Sequence, residues 1–69
     1  MTVKELRDAM DDCLFQVEQY DKDTDDYIIV CDPFTPIPKE IGEKKVIVAT
    51  PSIGYDMNGM EHTIITMQI

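Results

Sequence analysis

The chain has 69 residues, 43% of them apolar, and a formal net charge of −8 from 14 acids against 6 bases. That length admits a single domain, residues 1–69, burying about 60% of its unfolded surface, and the apolar share argues against a disordered tail. The negative balance argues against nucleic-acid binding through Lys and Arg contacts to phosphate and points to basic protein surfaces or cations as partners.

The charge is concentrated at one end. Residues 1–32 hold ten acids and three bases, a net of −7, whereas residues 33–69 hold four and three, a net of −1. The first segment opens with a capping box, in which the Thr2 hydroxyl accepts from the Glu5 amide and Glu5 reaches back to the Thr2 amide. Val3, Leu6, Met10, Cys13, Val17 and Tyr20 follow at helical spacing, with Lys4, Arg7, Asp8 and Asp11 facing away. A helix is therefore expected from Val3. Two endings are open. The helix can continue through residues 13–20, or it can stop near Met10 to Asp12, with residues 13–20 forming a strand in which Phe15 and Val17 alternate with Gln16 and Glu18. The strand is the favoured reading, because Asp11-Asp12 sits badly against the negative end of a helix dipole.

Tyr27-Ile28-Ile29-Val30-Cys31 is β-branched and aromatic and predicts a second strand, which Asp32-Pro33 stops. Residues 33–43, with Pro33, Pro36, Pro38 and Gly42, read as a long connection. Val46 to Thr50 predict a third strand, and Pro51 to Glu61 an irregular loop with a turn at Asn58-Gly59. His62 to Ile69 predict a fourth strand, with Ile65, Met67 and Ile69 on one face. The expected fold class is α+β: an N-terminal helix packed on an antiparallel sheet of about four strands.

The start, Met1 to Leu6, enters a helix pattern without the apolar core of a secretory leader. No apolar stretch approaches the roughly 20 residues of a membrane helix. A soluble, cytoplasmic protein is expected, with Cys13 and Cys31 reduced and buried as small hydrophobes.

Asp21-Lys22-Asp23-Thr24-Asp25-Asp26 is the densest run of acids. It is similar in spacing to an EF-hand loop: Asp21, Asp23 and Asp25 stand at positions 1, 3 and 5, Tyr27 offers the carbonyl of position 7, and Ile28 is the apolar residue at 8. Asp26 replaces the glycine of position 6, where φ is positive. Asp32 replaces the longer glutamate of position 12, and Pro33 replaces the start of an exiting helix. A calcium-binding loop is thus a secondary alternative, and no cofactor or metal site is expected.

The primary reading takes the same aspartates as part of an acidic binding surface. Asp8, Asp11 and Asp12 from the helix, Glu18 from the following segment, and Asp21, Asp23, Asp25 and Asp26 from the loop are the candidate partner-binding residues. Aligned carboxylates on a rigid element present a charge pattern like a phosphate backbone, which a basic groove accepts. In size, charge and its Thr2-Val3-Lys4-Glu5-Leu6 opening, the chain resembles short acidic proteins encoded by phages and prophages. Within that class, inhibitors of host defence such as anti-CRISPR proteins are small, acidic and non-enzymatic. The resemblance implies stoichiometric blocking of a basic nucleic-acid channel in a host protein, inside a bacterial cell.

Enzymatic activity is not expected. His62 is the single histidine and reads as a solvent-facing strand residue. Cys13, Cys31 and His62 lack zinc-site spacing, and Gly42, Gly54 and Gly59 form no phosphate-binding loop. Met57, Met60 and Met67, with Ile53 and Tyr55, read either as core filler or as an adaptable contact surface. The alternative function is accordingly a structural or assembly protein that dimerises through an apolar sheet face.

Overall fold

The computed structural model describes residues 1–10 and 12–69. The expected acid Asp11 lies outside the described residues. Helix α1 spans Val3–Ala9, strand β1 Leu14–Asp21, strand β2 Asp26–Cys31, a one-turn helix α2 Lys39–Gly42, strand β3 Val48–Tyr55 and strand β4 Glu61–Gln68. The fold is α+β, with a short N-terminal helix against a four-stranded sheet of order β2-β1-β4-β3.

The capping box forms at the start of α1: Glu5 N–H donates to Thr2 Oγ1 at 3.2 Å and Thr2 N–H to Glu5 Oε1 at 2.9 Å. The helix closes at Met10, so residues 14–21 are strand, as the dipole argument favoured. Two of the three strand pairings are antiparallel, β1–β2 and β3–β4, but the central pair, β1 with β4, runs parallel. The sheet is therefore mixed rather than wholly antiparallel. The cause is the long path of residues 32–47, which crosses over the helix-bearing face and returns the chain so that β4 enters beside β1 in the same direction.

Two further expectations are corrected. The third strand is not confined to residues 46–50, and residues 51–55 are not loop: β3 runs through Pro51 to Tyr55. Pro51 is tolerated there because β3 is an edge strand, where a missing N–H costs no ladder bond. The connection 33–43 contains α2, which Pro38 precedes and Gly42 ends, the usual asymmetry of prolines before and glycines after a helix.

Val3 on α1, Phe15 and Val17 on β1, Cys31 on β2, and Ile65 and Met67 on β4 form the buried core, with Leu6, Met10, Ile37, Ile41 and Val46 packed around it. Alternation along β1 and β4 sends these residues to one face. The opposite face carries Gln16, Glu18, Thr50, Ser52, Thr66 and Gln68 together with the apolar Leu14, Val48 and Ile64, placed there by the pairs Leu14↔Ile64, Gln16↔Thr66, Glu18↔Gln68, Val48↔Gln68 and Thr50↔Thr66. Cys13 and Cys31 are both free thiols. Burial raises the pKa of the Cys31 thiol, the nearby Asp32 charge adds to the rise, and the thiol donates to the Thr35 carbonyl at 3.5 Å. No helix among the described residues is long and apolar enough to cross a membrane.

Candidate functional site: an acidic hairpin arm

β1 pairs with β4 only as far as Glu18↔Gln68, and Ile69 N–H donates to the Glu18 carbonyl at 3.0 Å. Beyond that point β1 is paired with β2 alone, through Gln19↔Ile28, Tyr20↔Tyr27 and Asp21↔Asp26. The hairpin from Gln19 to Ile28 consequently projects from the sheet as a two-stranded arm. The molecule's extents of 36 × 25 × 19 Å and radius of gyration of 12.0 Å record the projection, since a compact chain of this length is expected near 11 Å.

Isolated two-stranded ribbons are weak, and this arm is braced by side chains. The rings of Tyr20 and Tyr27 meet edge to face with centroids 5.7 Å apart, an arrangement that favours an aromatic pair. The Tyr20 hydroxyl donates to Asp25, and that carboxylate holds the Tyr20 phenol above its ordinary pKa. Asp21 accepts from the Asp23 N–H at 3.1 Å and from the Thr24 hydroxyl at 3.3 Å. Asp25 takes φ of 53°, the left-handed region that Asp tolerates better than most residues. The positive φ falls on Asp25 and not on Asp26, where the calcium-loop alignment requires it.

Residues 22–25 form the loop of the arm and Asp26 already begins β2. The chain then runs extended for six residues to Cys31, which carries Asp32 about 20 Å from the tip. Asp32 is engaged locally, accepting from Phe34 N–H and from the Thr35 hydroxyl, each at 2.9 Å. These bonds, that to the Thr35 hydroxyl foremost, hold its carboxyl below the usual carboxylate range. The twelve residues therefore do not wrap a common centre. Among the described residues no group of three His, Cys, Asp or Glu side chains is placed to hold a metal ion.

The expected acids among the described residues fall in three places. Val3 N–H donates to the Lys44 carbonyl and Ile47 N–H to the Gln68 carbonyl, so the start of α1 lies beside the end of β4 and level with Glu18. The helix then runs opposite to β1. Its exposed Asp8, paired with Arg7 at 3.1 Å, and the exposed Asp12 lie near the start of β1, about 23 Å of strand away from Asp21. Glu18 projects from the face opposite the helix, where its carboxylate accepts from Gln16 and Gln68 side-chain amides at 3.3 Å. Asp21, Asp23, Asp25 and Asp26 alone share one place, the arm tip, with Lys22 as its single base. The bases Lys4, Arg7 and Lys39 line a shallow groove of about 330 Å³ between α1 and α2, together with Gly42 and Glu43.

Three features were not anticipated from sequence. Tyr20 and Tyr27 bear on the arm by bracing each other, and their symmetric placement about the aspartate run was the available signal. Asp56 stands 2.9 Å from His62 Nε2 and accepts from the amides of Asn58 and Met60 at 2.9 and 3.0 Å, so His62 is a turn-fixing residue rather than a free surface one. Phe34, Tyr55, Asp56, Met57 and Asn58 line an open apolar hollow of about 510 Å³ at the end of the molecule away from the arm. Tyr55 to Asn58 are consecutive, and Phe34 is the member that sequence spacing does not bring to them. No protein-family model, curated protein or solved structure was found to match the chain.

Proposed function

We propose that the protein acts without catalysis, as a binding module whose acidic arm enters a positively charged groove of a partner protein. The projection of the Gln19–Ile28 hairpin beyond the sheet, with four aspartates at its tip, carries this reading. A projecting, internally braced anionic element reaches a recessed basic surface that a flat acidic face cannot enter, and its field steers the encounter. The resemblance to short acidic phage proteins directs the choice of partner to a host-defence protein with a nucleic-acid channel. In that setting the arm takes the place of a phosphate backbone and blocks the channel, in the manner of an anti-CRISPR inhibitor. Asp8 and Asp12 then contribute at long range, by field, and the tip aspartates by contact.

The rival reading is an assembly protein working through apolar surface as a homodimer. It draws on the exposed Phe34, Ile53, Tyr55 and Met57 at the far end. The open sheet face gives it divided support, because Leu14, Val48 and Ile64 lie there among Gln16, Glu18, Thr50, Ser52, Thr66 and Gln68.

Affinity capture from bacterial lysate separates the two. Capture through the arm weakens sharply between about 50 and about 300 mM salt. It is also lost when Asp21, Asp23, Asp25 and Asp26 are all changed to Asn. Self-association of the purified chain in sedimentation that ignores both changes and fails on Tyr55→Lys, with no captured partner, supports the assembly reading instead.

A further inference from the structure

We propose that the outer edge of β2 is a strand-addition site for an extended, cation-flanked segment of the partner protein. The proposal rests on the arm reading for the sign of the partner's charge, and it adds a backbone mode of recognition. β2 is the terminal strand of the sheet, paired on one side only, to β1. Its residues Tyr27, Ile28 and Ile29 are exposed, Ile29 to 58%, and from Tyr27 to Cys31 the strand contains no charge and no proline.

The direction of its amides follows from the ladder. Tyr27 N–H donates to the Asp26 carboxylate at 2.8 Å, so it turns outward, away from β1. Alternation then turns the Ile29 N–H and C=O outward as well, to the side where no strand stands among the described residues. An open edge of this kind is a template for pairing unless it is blunted. The opposite edge of the sheet, β3, is blunted by Pro51, which has no N–H to offer. β2 has no proline, and its one irregularity is the register shift that leaves Val30 unpaired between Ile29 and Cys31. Since Asp26 already takes the Tyr27 N–H, Ile29 presents the outward donor. Carboxylates flank the apolar run, Asp25 and Asp26 before Tyr27 and Asp32 after Cys31.

That placement selects the occupant. A second copy of this chain, added antiparallel and centred on Ile29, sets Asp26 opposite Asp32 at both ends, and both copies carry net charge of −8. Like charges directly opposite oppose pairing. A strand with Lys or Arg at each end and apolar residues between meets opposite charges at both ends and covers Ile28 and Ile29. Main-chain bonds supply the register and the flanking cations the selection, as in other strand additions.

The test uses the full chain and three synthetic probes. The first is a peptide of alternating Val and Thr with two lysines at each end. The second is the same peptide N-methylated at the amides that face β2. The third has glutamates in place of the lysines. The first probe should shift and protect the Ile29 amide, leave the β3 amides unchanged, and bind at least tenfold more tightly than either of the others. Equal binding of the N-methylated probe, binding at the β3 edge, or no binding at millimolar probe overturns strand addition. The acidic arm reading is read out separately, by salt sensitivity and by the lysine-to-glutamate comparison. If those hold while N-methylation has no effect, side-chain recognition stands and strand addition falls.

Discussion

Asp56 shows how one carboxylate organises a turn. Its Oδ1 accepts from two backbone amides across the β3–β4 connection, while its Oδ2 meets His62. The His62 bond, followed by the Met60 amide, lowers its pKa from the ordinary carboxylate value. A carboxyl whose folded pKa is depressed supports the fold above its unfolded pKa, and that support is lost as pH falls through the lower folded value. The β3–β4 turn should therefore keep its structure down to about pH 4, the ordinary Asp range, and open only below it. Amide shifts and exchange rates of Asn58 and Met60 across an acid titration read this directly. His62→Gln should move the opening to higher pH, and Asp56→Ala should leave the turn frayed at neutral pH. A turn that opens in His62→Gln and in the parent chain at the same pH would show that His62 contributes nothing. The sequence marked this turn through Asn58-Gly59, and Gly59 takes the positive φ of 78° that such a pair supplies. The Asp56–His62 pair was not legible, because six residues separate them and only a tight hairpin brings them together.

At the scale of elements, the local signals were the readable ones. The Thr2–Glu5 capping box is a contact between residues three apart, and it forms as read. Thr2→Ala should cost about 1 kcal/mol of stability, measurable by denaturant titration. The loss should exceed that of an exposed substitution such as Glu40→Ala, since α1 has only seven residues and a helix that short depends on its cap. The end of α1 was legible for the same reason, because Asp11-Asp12 opposes the dipole within one turn. What sequence did not disclose is non-local. The parallel pairing of β1 with β4 joins residues 50 apart, and no periodicity distinguishes a parallel partner from an antiparallel one. β3 was shortened at Pro51 because its position at the sheet edge, which makes the proline harmless, is a property of topology. The aspartate run was legible as an acidic loop between two strands, but its distance from Asp8 and Asp12 depends on α1 running opposite to β1.

At the scale of the whole molecule, the arm raises a conflict between fold and charge. Asp21, Asp23, Asp25 and Asp26 stand within one turn, in a chain of net charge −8. A chain of this length has only about 3 to 10 kcal/mol of total stability. Carboxylates at near-contact separation in water repel by roughly 1 kcal/mol per pair, so a sequence selected for stability alone has no reason to gather them. Their hydrogen bonds do not require charge either. The acceptor roles of Asp21 toward Asp23 and Thr24, and of Asp25 toward Tyr20, pass to an Asn side-chain oxygen. Changing all four to Asn takes the net charge from −8 to −4 and removes the mutual repulsion while keeping the acceptors. The variant should fold as before and melt at the same temperature or higher in low salt. That advantage should shrink as added salt screens the parent chain. Circular dichroism melts of both chains at low and high salt make the comparison. A variant that melts lower in low salt would mean the carboxylates serve the fold. Equal or greater stability together with lost capture of the partner would place their role in binding, where a projecting anionic arm has its use.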